Sequence, residues 1–271
     1  MKIGFMDSGI GGLSVLHEAL HMLPNEEYLF YADVDHVPYG LKTTEQILGY
    51  VTEITEFLID KKCDIIVVAC NTATAVAIDS LRNKFDIPII GMEPAVKPAV
   101  LHSNEKRVMV MATPVTIREN KLKMLIAKVD EEHKCDLIPM PRLVNFAEME
   151  IFEDPDVSEY IKNELKQYNL KDYSELVLGC THFNYFKPAF RQLFGNEIEF
   201  IDGNKGTVKH LADVLGLPVC SDENKVYYDK PFDLIYNSNV VYFASGRVIN
   251  DEHMLTHIMR LHNRLEEVRY V

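Results

Sequence analysis

Two cysteines stand where thiols can do chemistry. Cys70 follows the apolar run of Ile65-Ile66-Val67-Val68-Ala69-Cys70-Asn71-Thr72-Ala73-Thr74, and Cys180 the run of Leu176-Val177-Leu178-Gly179-Cys180-Thr181-His182. Each run reads as a buried parallel strand that delivers its thiol into a polar turn where a helix begins. Ligands of open α/β sheets bind just outside the carboxyl ends of strands, so the two thiols are expected on either side of one site. A thiolate is a base as well as a nucleophile, with a free pKa of about 8.5. A lone Cys/His pair, Cys180 with His182, points to an amidohydrolase with a covalent acyl intermediate. Two matched thiols point elsewhere: one base removes a proton from one face of a carbon and the other returns a proton to the opposite face.

The neighbours of the thiols fit that second chemistry. His182 can accept or donate a proton near neutral pH beside Cys180. The dipole of a helix starting after Cys70 favours its thiolate, whereas Asp7, at another strand end, opposes it by like charge. A proton is therefore expected to shuttle between Asp7 and Cys70. The other cysteines, Cys63, Cys135 and Cys220, read as small buried hydrophobes.

The elements that must hold these residues alternate between strand and helix. Lys2 to Met6, Tyr28 to Tyr31, Pro88 to Gly91, Val108 to Met111, Leu137 to Pro139, Asp233 to Tyr236 and Val240 to Phe243 read as strands, and Leu143-Val144 as a further extended piece. Helices are expected over about 13–23, 72–85, 115–129, 157–168, 207–215 and 250–268, and one more starts at Thr43-Thr44-Glu45-Gln46 with a capping box from Thr43 to Gln46 and keeps Ile47, Val51, Ile54 and Leu58 on one face. The proline-bearing stretch Glu93-Pro94-Ala95-Val96-Lys97-Pro98 reads as a connector between two such units. The alternation argues for an α/β fold of parallel sheets whose two halves look like a diverged duplication.

Composition narrows the function. The chain has 271 residues, ample for a core, with a net charge of −13 that disfavours nucleic acid as a partner. No apolar run approaches the roughly 20 residues of a membrane helix. The start turns acidic at Asp7, too soon for a signal peptide, and five cysteines with no CxxC pair suit reduced thiols, so a cytoplasmic protein is expected. Asp7-Ser8-Gly9-Ile10-Gly11-Gly12 is a tight post-strand turn, neither a Walker loop nor GxGxxG. His17-Glu18-Ala19-Leu20-His21 matches HExxH, but the helix is short, Pro24 ends it and no third ligand stands out. It reads as a solvated helix face, and no metal is expected.

Taken together, Phe5-Met6-Asp7-Ser8-Gly9-Ile10-Gly11-Gly12-Leu13, Pro38-Tyr39-Gly40, Ala69 to Thr74, Leu178 to His182 and Ala244-Ser245-Gly246 resemble the glutamate racemases of the cofactor-independent aspartate/glutamate racemase superfamily, over nearly the whole chain. The resemblance implies a homodimer whose subunits have two pseudo-symmetric parallel-sheet domains facing each other across a central site, with 1–97 plus 208–271 forming one domain and 98–207 the other. It implies glutamate as substrate, no pyridoxal phosphate, no metal, and D-glutamate supply for peptidoglycan. Position by position it makes Cys70 and Cys180 the bases, Asp7 the assistant of Cys70, and His182 with Glu148 the assistants of Cys180. Ser8, Tyr39, Gly40, Asn71, Thr72, Thr113 and Thr181 match substrate-holding positions. The chain departs from the family pattern at Phe183-Asn184-Tyr185, Met92-Glu93-Pro94 and Asp33-Val34-Asp35-His36-Val37. Aspartate or another amino acid is the alternative substrate; a non-catalytic amino-acid binding protein would tolerate loss of either thiol.

Overall fold

The computed structural model describes residues 1–92, 95–220 and 239–271. Two sheets organise them. One has six strands, β1 (Lys2–Asp7), β2 (Glu27–Ala32), β3 (Ile65–Val68), β4 (Ile89–Gly91), β9 (Asn239–Ala244) and β10 (Arg247–Val248), in the order β10-β9-β2-β1-β3-β4. The other has four, β5 (Arg107–Ala112), β6 (Cys135–Pro139), β7 (Tyr173–Gly179) and β8 (Glu199–Ile201), in the order β6-β5-β7-β8. All pairings are parallel except the β9–β10 hairpin. Late strand β9 pairs with β2, so the chain returns to its first sheet after completing the second.

The strands are near-continuous apolar runs because helices cover both faces. α2 (Thr44–Asp60) and α3 (Asn71–Lys84) bury Val51, Ile54, Leu58 and Ala77 against Met6, Ile66 and Val68. The capping box forms as expected, with Thr43 Oγ1 accepting from the Gln46 N–H and Gln46 Oε1 from the Thr43 N–H. On the opposite face, α1 (Leu13–Met22) and α10 (Asn204–Leu215) join Ile3, Phe5, Leu176 and Leu178 in one apolar cluster that spans the two sheets. α4 (Val96–His102), α5 (Pro114–Arg118) and α6 (Asn120–Val129) cover the outer face of the second sheet through Val96, Ala99, Ile117 and Leu122. α7 (Pro141–Glu148), α8 (Pro155–Leu165) and α9 (Lys187–Phe194) line its other side, and α11 (Glu252–Glu267) packs on α1. Among the described residues no helix is long and apolar enough to cross a membrane.

Several expectations fail locally. Leu143-Val144 is not extended: it lies in α7, where Leu143, Val144, Phe146 and Ala147 form one buried helical face behind an N-terminal Pro141. Val96-Lys97-Pro98, read as connector, starts α4, while Glu93 and Pro94 lie outside the described residues, as does the strand expected over 233–236. The helix expected over 115–129 breaks at Glu119, whose backbone is extended. Of the three cysteines read as buried, Cys63 is buried, Cys135 half-buried and Cys220 exposed. α1 does not carry a solvated histidine face, because His17 is buried against α11.

Candidate active site

Parallel register brings the chemistry-bearing residues to one end of both sheets. Met6 pairs with Val68, and Ala112 with Gly179. Asp7 and Cys70 thus leave neighbouring strands of one sheet, and Thr113 and Cys180 neighbouring strands of the other. Cys70 caps α3: the Ala73 N–H donates to its Sγ at 3.5 Å, and its thiol faces Ser8 Oγ at 3.8 Å. Asp7 is fully buried and accepts from the Gly9 N–H at 2.8 Å. It also accepts from Thr181 Oγ1 at 3.2 Å, a bond made across the two sheets.

On the other side, Cys180 Sγ lies 3.8 Å from His182 Nδ1, and His182 Nε2 lies 2.6 Å from Glu148 Oε1. The same carboxylate oxygen accepts from the Ile10 N–H at 2.9 Å. Glu148 ends α7, so that helix aims an acid at the turn after β1. The glycines of that turn make the approach possible. A Cβ at Gly9 would overlap the Glu148 carboxylate, and one at Gly11 would overlap the His182 ring and the Thr181 hydroxyl. Ser14 Oγ donates to the Thr181 carbonyl at 3.4 Å and Tyr185 Oη to the Ile10 carbonyl at 3.2 Å, so the departure at Phe183-Asn184-Tyr185 is a buried turn that ties the two units together.

The two thiols sit in different fields. Burial pushes the Cys70 thiol up, and Asp7 beside it pushes the same way; an anionic Cys180 adds a smaller push in the same direction. Here burial outweighs the cap of α3, against the expectation that the helix start favours a thiolate. Burial likewise raises Asp7, partly offset by His182 and the Gly9 N–H. For His182 burial pulls downward, but the hydrogen bonds and charges of Cys180 and Glu148 together hold it well above the ordinary imidazole range. The surroundings thus favour the charged form of His182 beside Cys180 and the neutral thiol of Cys70.

The remaining expected residues surround these groups. Thr72 Oγ1 lies 2.9 Å from Thr113 Oγ1, and both reach Thr116 Oγ1, at 3.2 and 2.9 Å. Thr116 escapes the sequence reading, although Thr113-Pro114-Val115-Thr116 has the spacing of a helix cap, and Thr113 Oγ1 does accept from the Thr116 N–H. Asn71, at the first turn of α3, lines a cavity with Thr116 and Gly179. The Tyr39 phenol is buried and donates to Asp33 Oδ2 at 2.6 Å, so its proton is already committed within the protein. Gly40 packs against Thr113, where a Cβ would come within 2.9 Å of the Thr113 side chain. Asp33 also accepts from Ser245 Oγ at 3.2 Å, which ties the Ala244-Ser245-Gly246 turn to the Tyr39 loop. The link from Asp33 to Ser245 gives no signal in the sequence because the two lie far apart in the chain.

With this geometry in hand, the chain can be set beside known proteins. The profile of the family described as Asp/Glu/Hydantoin racemase matches residues 4–211. Glutamate racemase of Lachnospira eligens is 49% identical over 276 residues, spanning 100% of both chains. The Escherichia coli glutamate racemase crystallised with L-glutamate and the activator UDP-MurNAc-ala superposes with a TM-score of 0.76 at 26% identity, covering 92% of this chain and 99% of that one. The Francisella tularensis glutamate racemase in complex with D-glutamate gives a TM-score of 0.74 at 25% identity, covering 97% and 93%. On the breadth of that match and the identity of these relatives, the chain belongs to the Asp/Glu/Hydantoin racemase family and is an isomerase of that class.

Proposed function

We propose that the protein is a glutamate racemase that moves the Cα proton between two thiols without a cofactor. The observation that carries this reading is the pairing of Cys70 and Cys180 at the strand ends of two different sheets, each beside its own proton partner. In one direction Cys180, as thiolate, takes the Cα proton: the C–H bond breaks, an S–H bond forms, and the electron pair stays on carbon. The Cys70 thiol then gives its proton to the opposite face, leaving a thiolate. The enzyme ends in the mirror protonation state, ready for the reverse reaction, and resets by exchange with water. His182 and Glu148 hold charge beside Cys180; Asp7 takes or returns the proton of Cys70. Backbone amides and hydroxyls of Ser8, Tyr39, Gly40, Asn71, Thr72, Thr113 and Thr181 bind the substrate carboxylates and ammonium, and so support the developing carbanion.

Glutamate is favoured over aspartate by the L- and D-glutamate complexes of the structural neighbours. The activator bound by the Escherichia coli protein supports a place in cell-wall synthesis, with D-glutamate as the product used for peptidoglycan. We further take the subunit to be a cytoplasmic homodimer, with residues 1–97 and 208–271 as one domain and 98–207 as the other. The return of β9 to the first sheet supports that division.

The test is interconversion of L- and D-glutamate with no added cofactor, followed by circular dichroism, with aspartate in parallel. Cys70→Ser and Cys180→Ser are each expected to lower the rate by about 10²- to 10⁴-fold, the usual worth of a positioned acid or base. Exchange of aspartate alone would correct the substrate, and inert glutamate and aspartate would remove the racemase reading. The Cys180–His182–Glu148 line also suits acyl transfer; amide hydrolysis that survives Cys70→Ser would establish that second reading.

A further inference from the structure

The HExxH stretch of α1 meets a third group that its sequence neighbourhood does not contain. His17 and His21 are one helical turn apart, and Glu266, near the end of α11, lies between their rings. His17 Nε2 is 2.8 Å and His21 Nε2 3.0 Å from Glu266 Oε2. The three ligand atoms lie within 4.8 Å of one another, the only such group among the described residues. Ligand atoms around a tetrahedral ion with bonds of roughly 2.0–2.1 Å stand about 3.3–3.4 Å apart, so the two His–Glu266 distances need only about half an ångström of expansion or less. His21 and Glu266 are partly exposed, which gives an ion a way in and leaves room for water as a further ligand.

The buried side of the cluster is built as support for such a site. His17 Nδ1 lies 3.0 Å from His262 Nδ1, and His262 Nε2 lies 3.4 Å from Tyr242 Oη. His17 and His262 are buried, so their tautomers are fixed by these partners. Glu18, the middle acid of the motif, is not available as a base toward the cluster. It is held by Arg269, with Nε and Nη2 at 3.1 and 2.9 Å from its carboxylate oxygens. Two carboxylates, Glu18 and Glu266, stand against one guanidinium, that of Arg269, whose Nη1 also lies 3.8 Å from Glu266 Oε2, and the excess carboxylate charge beside the two imidazoles suits a cation.

We propose that His17, His21 and Glu266 form a binding site for a divalent first-row transition ion of the zinc, cobalt or nickel type, joining α1 to the C-terminal helix. Imidazole nitrogen and carboxylate oxygen are the ligands such ions take. Binding needs no net proton loss. Without the ion, both Nε2–H groups donate to Glu266, and His262 Nδ1–H donates to His17. With it, His21 carries its proton on Nδ1, and His17 carries its proton on Nδ1 and donates to His262, whose own proton moves to Nε2 and is donated to Tyr242. The ion is a staple and takes no part in proton transfer at Cα. It sits on the helix that follows the Asp7 turn and whose Ser14 holds the Thr181 carbonyl.

Cobalt(II) and zinc titrations of chelator-treated full-length protein test this, read by calorimetry, visible absorption and unfolding midpoint. One equivalent is expected, with the absorption of a nitrogen and oxygen environment and an unfolding midpoint that rises with ion concentration. His262→Gln should weaken binding about 10- to 100-fold, the worth of a supporting partner, and His21→Ala or Glu266→Gln by more. Nitrogen-15 spectra should show His17 and His262 exchanging tautomers on binding. A thiol competitor is controlled with Cys70→Ser/Cys180→Ser protein, which should bind the ion unchanged. Absence of binding, binding unaltered by His21→Ala and Glu266→Gln, or binding lost with the two thiols would each overturn the proposal.

Discussion

Cys70 and Cys180 have the same side chain and opposite surroundings. Burial and Asp7 push the Cys70 thiol up, whereas Cys180 lies against His182, which Cys180 and Glu148 together hold above the ordinary imidazole range. Glu148→Gln removes that backing while keeping the shape. A charge-assisted hydrogen bond is worth about 1.5–3 kcal/mol, so kcat is expected to fall on the order of 10- to 100-fold. The same change lowers the His182 pKa and moves the alkaline limb of the pH–rate profile to lower pH, which a profile of both proteins would show; coincident limbs would contradict the assignment. The linkage to stability has a definite sign. His182 is raised in the fold, so its contribution is complete below about pH 6.5 and is lost as pH rises through the folded value. Asp7, raised by burial, has the same sign at lower pH, so at neutral pH its charge opposes folding. Asp7→Asn is therefore expected to raise the unfolding midpoint at pH 7 while slowing racemisation, and a lower midpoint would contradict that role for Asp7. Most of these residues are legible in the sequence because each ends an apolar run. Thr116, Asp33 and Glu266 are not, since each also meets a partner far along the chain: Thr72, Ser245 and His17.

At the scale of elements, the turn over Ser8–Gly12 decides how closely the second sheet approaches the first. Gly11 faces His182 and Thr181 with no room for a side chain, and Gly9 faces Glu148 in the same way. The sequence shows a tight turn there; what the glycines accommodate is visible only with the second sheet in place. Gly11→Ala is expected to leave the helices and strands intact by far-ultraviolet circular dichroism and to cut kcat/KM at least about tenfold, by displacing a catalytic ring. Unchanged kinetics would mean that the close packing of this turn is irrelevant to the chemistry. Strand reading succeeds where apolar runs are long, as at β3 and β7. It fails at Leu143-Val144, because two adjacent apolar residues fit one face of a short helix as well as they fit a strand. The HExxH face misleads for a related reason. Histidine and glutamate look solvated in a linear sequence, yet α11 covers His17, and groups from the other end of the chain meet His17, Glu18 and His21.

Over the whole molecule, two parallel sheets share an apolar cluster and turn their strand ends toward each other. Cross-links between them, Thr181 to Asp7, Glu148 to Ile10 and Tyr185 to Ile10, all converge on the turn after β1. The α/β class and the restart of the pattern after about residue 98 are readable from alternation alone. The return of β9 to the first sheet is not, because pairing is long-range and leaves no local mark; only family resemblance implies it. The two-thiol reading rests on this facing arrangement, and it makes a labelling pattern that a single base cannot. Either enantiomer of glutamate, incubated in deuterated water and sampled early, is the measurement to make, by NMR at Cα with the enantiomers resolved. If Cys70 and Cys180 act on opposite faces, the product enantiomer carries deuterium from the start while the remaining substrate keeps its proton, in both directions. Deuterium accumulating in unconverted substrate as fast as in product, or product retaining the original proton, would mean that one base serves both faces, and the two-thiol mechanism would be wrong.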